Sequence, residues 1–221
     1  MNAPQDLLGG KILIVDDMPS NVLLLERMLS AAGYTGLMST TFPADVCALH
    51  AQHSFDLILL DLNMPGMNGF EVMEGLKAIE VDAYLPVLVI TAQPELKLRA
   101  LRAGAKDFIS KPFDMAEVLA RVRNMLEVRL LHKSLRHFNA ALESRVQERT
   151  AELHDGYVET IFTMTRAAEH KDEDTGSHVR RISFYCRDLA QVMGLDAVFQ
   201  NSIFIASPMH DIGKIGITDE V

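Results

Sequence analysis

Two hydrophobic patterns divide this chain. Up to about residue 113, short and nearly unbroken apolar runs alternate with stretches whose apolar positions recur every three or four residues. The runs fall at residues 11–15, 35–40 (weaker), 55–60, 86–91 and 105–110, and each has the length of a strand. The first is followed by Pro19, at a plausible first helical position, and by an apolar face of Val22, Leu25, Met28 and Leu29 that Gly33 closes. Further helices are expected near 44–52, 68–79 and 95–103, with another starting near Asp114. Five alternations joined by short loops predict an α/β fold, a five-stranded doubly wound parallel sheet.

Beyond residue 113 the strand pattern stops. From Val128 the apolar or near-apolar positions are Leu131, Leu135, Phe138, Leu142, Val146, Thr150, Leu153 and Tyr157, with no Gly or Pro between Asp114 and Gly156. The mean spacing is 3.6, nearer an eleven-residue repeat than strict heptads, so one long helix with little left-handed supercoil is expected. Its narrow stripe needs a partner, and a parallel homodimer through a coiled-coil connector follows.

Charge separates the same regions. The total is −9, distributed as −7 over residues 1–120, +4 over 121–150 and −6 over 151–221. An acidic chain argues against a general nucleic-acid binder. The basic residues of the middle segment lie along the stripe, diluted by acids, and do not form the block of a leucine-zipper DNA-contacting helix. Cys47 and Cys186 are too few and too far apart for a disulfide framework or a thiolate metal site. No apolar run approaches membrane-spanning length, and residues 1–5 lack the regions of a signal peptide, so a soluble cytoplasmic protein without a membrane partner is expected.

Candidate chemistry gathers at the strand ends. Asp16 and Asp17 follow the first strand, Asp61 the third, Thr91 ends the fourth and Lys111 follows the fifth. In a parallel sheet these ends share one edge, where ligands of open α/β sheets bind. Three carboxylates repel one another unless a hard divalent cation sits among them, and Mg²⁺ suits oxygen ligands. A lysine and a hydroxyl beside them suit a phosphoryl group.

On these residues, the segment 8–128 resembles the receiver domain of two-component response regulators. The resemblance implies that Asp61 accepts a phosphoryl group from a histidine kinase or a small phosphodonor. It also implies that Asp16, Asp17, Asp61 and the main-chain carbonyl of Asn63 hold Mg²⁺. Thr91 and Lys111 would then bind phosphoryl oxygens, and Phe108 would swing with Thr91, although an ordinary core aromatic fits Phe108 equally well. By the same resemblance the Lys111-Pro112 bond is expected to be cis, proline being the residue at which a cis bond is affordable.

A third segment contains Thr175-Gly176-Ser177-His178 with Arg181, then His210-Asp211-Ile212-Gly213-Lys214. His210 and Asp211 on a helix would point about 100° apart and could share a metal completed by His178. Residues 157–221, joined to the receiver by the connector at 121–156, are similar to the beginning of an HD-GYP domain. That family comprises metal-dependent phosphodiesterases of cyclic di-GMP. The resemblance makes His178, His210 and Asp211, with Asp174 as a further candidate, ligands of Fe or Mn, and brings Lys214 to the scissile phosphate. The family's later histidines, last aspartate and Gly-Tyr-Pro loop are not in these residues. An incomplete all-α HD-type segment is therefore expected, with a phosphorylation-controlled regulator as the function and no turnover by these 221 residues. The alternative is a receiver that acts only by dimerising or docking partner proteins.

Overall fold

The computed structural model describes residues 7–79, 84–169 and 178–216, with the backbone alone at 94, 168, 169 and 214–216. The chain divides into two compact units, Met1–Asn139 and Ala140–Val221.

In the first unit β1 (Ile12–Val15), β2 (Leu37–Thr40), β3 (Leu57–Asp61), β4 (Val87–Thr91) and β5 (Asp107–Ser110) form one parallel sheet in the order β2-β1-β3-β4-β5. The helices between them are α1 (Pro19–Ala31), α2 (Val46–His53), α3 (Gly69–Ile79) and α4 (Lys97–Ala103), and α5 (Met115–Glu169) follows β5. Short 3₁₀ turns, Pro43–Asp45 and Pro94–Leu96, lead into α2 and α4. Proline at each start fixes φ where no amide donor is needed.

Strand periodicity sorts the apolar residues into two cores. On one face Ile12, Ile14, Leu57, Leu59, Leu88 and Ile90 pack with Val22, Leu25 and Leu29 of α1 and Val118, Val122 and Leu126 of α5. On the other, Leu13, Val15, Ile58, Leu60 and Val89 pack with Val46 of α2, Val72, Met73 and Leu76 of α3, and Ala100 of α4. Covered on both faces, β1, β3 and β4 are apolar at successive positions, which is the pattern that marks them in the sequence.

The start of β3 is tied to α5. Asp56 is buried; its Oδ2 accepts from the Lys11 N–H at 3.0 Å and its Oδ1 from the Lys133 ammonium, with Arg129 Nε 3.9 Å away. Buried Arg129 donates to the Tyr84 carbonyl at 2.6 Å, and the Tyr84 and His132 rings stack with centroids 4.3 Å apart.

The stretch expected as a helical connector to residue 156 belongs to α5, which runs through Gly156 to Glu169. In the second unit α6 (His178–Val192) and α7 (Ala197–Ala206) follow, α7 capped by Asp196, whose Oδ1 accepts from the Phe199 N–H at 2.8 Å. Phe162, Phe184 and Phe204 meet edge to face, and the Arg187 guanidinium lies 5.0 Å and 5.1 Å from the Phe184 and Phe204 ring centres. Among the described residues no helix is long and apolar enough to cross a membrane.

Candidate functional site

The parallel register brings the polar strand ends to one edge. Asp61 closes β3 opposite Ile90, and Thr91 closes β4 opposite Ser110, so the residues just past β1, β3 and β5 share the rim on which Thr91 sits. Asp16, Asp17 and Asp61 each offer a carboxylate oxygen within 4.8 Å of the others. Among the described residues this is the one such group of three or more ligand-type side chains.

Lys111 bridges the cluster. Its Nζ lies 2.8 Å from Asp16 Oδ2 and 2.8 Å from Asp61 Oδ2. Its backbone N–H donates to the Thr91 carbonyl at 2.9 Å, and the Lys111-Pro112 bond is cis. Thr91 is fully buried, and its Oγ1 accepts from the Gln93 N–H at 3.1 Å. Asp16 is buried and receives the Met18 N–H and the Asn21 amide as well as Lys111. Asn63 donates its N–H to Asp61 Oδ1 at 3.4 Å. Phe108 is half-buried in the edge strand β5, with Lys97 Nζ 4.6 Å from its ring centre.

Loop chemistry brings α3 close behind the cluster. Asn68 accepts from the Phe70 and Glu71 N–H groups while Glu71 accepts from the Asn68 N–H at 2.7 Å, a reciprocal cap at the helix start. The first helical residue then passes so near β3 that a Cβ on Gly69 would lie 2.6 Å from the Asp61 carbonyl oxygen and 2.9 Å from Leu62 Cα. Only glycine fits that approach without a backbone shift.

Electrostatics follow from the donor set. Burial raises the Asp61 pKa; Lys111 counters this, and the neighbouring Asp16 charge raises it again. Burial alone would lower the Lys111 pKa, but the hydrogen bonds and charges of Asp16 and Asp61 outweigh it and hold the ammonium protonated. Three carboxylates against one ammonium leave a formal charge of −2, which fits a hard divalent cation with oxygen ligands.

In the second unit the His178 and His210 ring centres are 6.3 Å apart, and His210 Nε2 lies 3.3 Å from Asp211 Oδ2. His210 Nδ1 is 2.8 Å from the Ser207 carbonyl oxygen. His210 and Asp211 stand in a 3₁₀ segment, Ser207–Gly216, where successive side chains are about 120° apart and not the 100° of the expected α-helix. Asp174 lies outside the described residues, and Lys214 is described by its backbone alone.

The sequence alone does not single out Asn21, and offers Gly69 only as a turn residue ahead of an amphipathic stretch. Asn21 has the signal of a polar residue one turn after an acidic strand end, and Gly69 that of a glycine opening an amphipathic helix.

Over 98% of its length the chain is 32% identical to a Vibrio cholerae protein named a probable cyclic di-GMP phosphodiesterase, of which it covers 51%. Over 97% it is 32% identical to a cyclic di-GMP phosphodiesterase response regulator of Xanthomonas campestris, of which it covers 57%. The chain thus spans about half the length of these curated relatives. Among solved structures, 53% of it superposes on 98% of the receiver domain of a sensor histidine kinase from Pseudomonas aeruginosa, with a TM-score of 0.50 and 27% identity. That domain was solved with a magnesium ion coordinated in its active-site cleft. The profile of the response regulator receiver domain matches residues 12–123. With just over half of its residues inside that match, the chain belongs to the response regulator receiver domain family.

Proposed function

We propose that this chain is a cytoplasmic, phosphorylation-controlled response regulator whose receiver, residues 8–128, takes a phosphoryl group on Asp61. Through the connector at 121–156 the receiver controls an HD-GYP segment, residues 157–221, of a cyclic di-GMP phosphodiesterase. The observation that carries this reading is the Lys111 ammonium held between Asp16 and Asp61 at the edge of the sheet.

An Asp61 carboxylate oxygen attacks phosphorus of a phosphohistidine on a kinase, or of a small donor such as acetyl phosphate. The bond from phosphorus to the donor breaks, and its electron pair leaves with the departing group. Lys111 moves its contact from Asp61 to a phosphoryl oxygen, to which the Thr91 hydroxyl also donates, and Phe108 follows Thr91. Asp16, Asp17, Asp61 and the Asn63 carbonyl would hold Mg²⁺, which when bound neutralises charge on the phosphoryl oxygens.

The output reading rests on the two relatives named for cyclic di-GMP hydrolysis and on His178, His210 and Asp211, which would bind Fe or Mn. Asp174 and Lys214 are the further ligand and the phosphate contact of that proposal. Three ligands, or four with Asp174, are too few for a two- or three-metal site, so these 221 residues alone are not expected to hydrolyse cyclic di-GMP. A second reading, a dimerising or docking module without enzymatic output, is favoured by the exposed stripe at Leu135, Phe138 and Leu142.

The test is treatment with acetyl phosphate or beryllium fluoride in the presence of Mg²⁺, followed by mass spectrometry or phosphoryl labelling. The wild-type chain is expected to be modified once and Asp61→Asn not at all. Modification that persists in Asp61→Asn refutes the assignment.

A further inference from the structure

Asn21 stands in the first turn of α1, and its side-chain amide donates to both oxygens of Asp16, 2.9 Å to Oδ1 and 3.0 Å to Oδ2. The Met18 N–H reaches Oδ1 at 2.9 Å and Lys111 reaches Oδ2 at 2.8 Å. Asp16 is 1% exposed, so these donors replace water for a carboxylate that would otherwise be desolvated and unpaired. Only one orientation of the amide is chemically sensible, because the flipped form would set its oxygen against a buried carboxylate.

A neutral donor at this place has a particular consequence. Lys111 is shared between Asp16 and Asp61, and in the phosphoryl transfer proposed for Asp61 it moves to the new phosphoryl oxygens. Asn21 holds the Asp16 carboxylate in one plane without cancelling its charge, so Asp16 keeps its place and its full negative charge when Lys111 leaves. A cation at residue 21 would discharge the cluster, and an apolar residue would leave Asp16 dependent on Lys111 and one backbone amide. From this geometry we infer that Asn21 is a positioning residue that sets the affinity of the carboxylate cluster for Mg²⁺ by fixing Asp16. The inference rests on the assignment of Asp16, Asp17 and Asp61 as the Mg²⁺ site.

Isothermal titration of the metal-free 221-residue protein with Mg²⁺, with no phosphodonor present, tests it. Asn21→Leu, of similar size but without a donor, is expected to weaken Mg²⁺ binding about 10-fold, the scale of losses on removing groups that orient metal ligands. Asn21→Ala is expected to weaken it less, because water entering the vacated space can donate to Asp16. With acetyl phosphate, the Mg²⁺ concentration for half-maximal phosphorylation should rise by the same factor, while the rate at saturating Mg²⁺ stays within about twofold of wild type. An unchanged Mg²⁺ affinity in Asn21→Leu overturns the inference, as does a lower saturating rate at unchanged Mg²⁺ half-saturation. Circular dichroism checks folding, and should Asn21→Leu fail to fold, a wild-type affinity in Asn21→Ala is the overturning result. Wild-type protein that takes up no Mg²⁺ refutes the metal site itself, and a wild type that binds while both variants match it refutes the role of Asn21 alone.

Discussion

Asp61 is held where its own charge is unwelcome. Burial raises its pKa, Lys111 offsets part of that, and the Asp16 charge adds to it. An acid whose pKa is higher in the folded than in the unfolded chain binds its proton more tightly when folded. Its contribution is therefore fully present at low pH and is lost as pH rises from the ordinary carboxylate range through the raised value. At neutral pH without metal, Asp61→Asn should raise the Tm of the receiver transition by a few degrees. The advantage should shrink as pH falls into the carboxylate range, and the stabilisation that Mg²⁺ gives the wild type should be lost in the variant. Calorimetry in EDTA and in Mg²⁺ reads all three, and a wild type more stable than Asp61→Asn at pH 7 in EDTA would contradict the account. The five polar residues at the ends of β1, β3, β4 and β5 were legible in the sequence because a parallel sheet must gather them. Asn21 was not, because an asparagine in a first helical turn has the signature of an ordinary capping or solvated residue. Gly69 reads in the sequence as a turn residue and no more, because a glycine that opens a helix does not announce that a strand carbonyl lies behind it.

At the scale of elements, β3 has a carboxylate at each end, Asp61 at the chemical edge and Asp56 just before the strand's start, where Arg129 and Lys133 of α5 reach it. Asp56 and Arg129 are both buried, so Asp56→Ala removes the carboxylate that faces a buried guanidinium and takes the Lys11 N–H, and is expected to cost the receiver about 3 kcal/mol in urea unfolding. Lys133 is one-third exposed, and Lys133→Met is expected to cost less than about 1 kcal/mol. Equal and negligible losses for both variants would mean that the tie contributes nothing. Sequence patterns located β1, β3 and β4 well because burial on both faces makes their residues apolar in succession. They missed the tie, since Asp56 and Lys133 are 77 positions apart and a lysine on a charged helix looks solvated. They also missed the full reach of α5: Gly156 looked like a boundary, but one glycine costs a helix only about 1 kcal/mol and does not end it.

At the scale of the molecule the stripe on α5 stands open: Leu135 is 57% exposed, Phe138 65% and Leu142 51%. A second copy of the same helix, aligned in parallel, would bury it. Light scattering should give twice 24.6 kDa at micromolar concentration, and replacing Leu135, Phe138 and Leu142 by Asp should raise Kd at least about 100-fold. A monomer at high micromolar concentration, or a dimer indifferent to the triple replacement, speaks against pairing through this stripe. The sheet itself bears on how copies can meet. Its two edge strands, β2 and β5, are four residues each, and β5 begins with the charged Asp107. So short a length of unpaired backbone gives an incoming strand little to bind, and the Asp107 carboxylate already takes the Phe108 N–H. The fold is thus guarded against edge-to-edge polymerisation of the amyloid kind, whereas pairing through the α5 stripe would be finite and reversible.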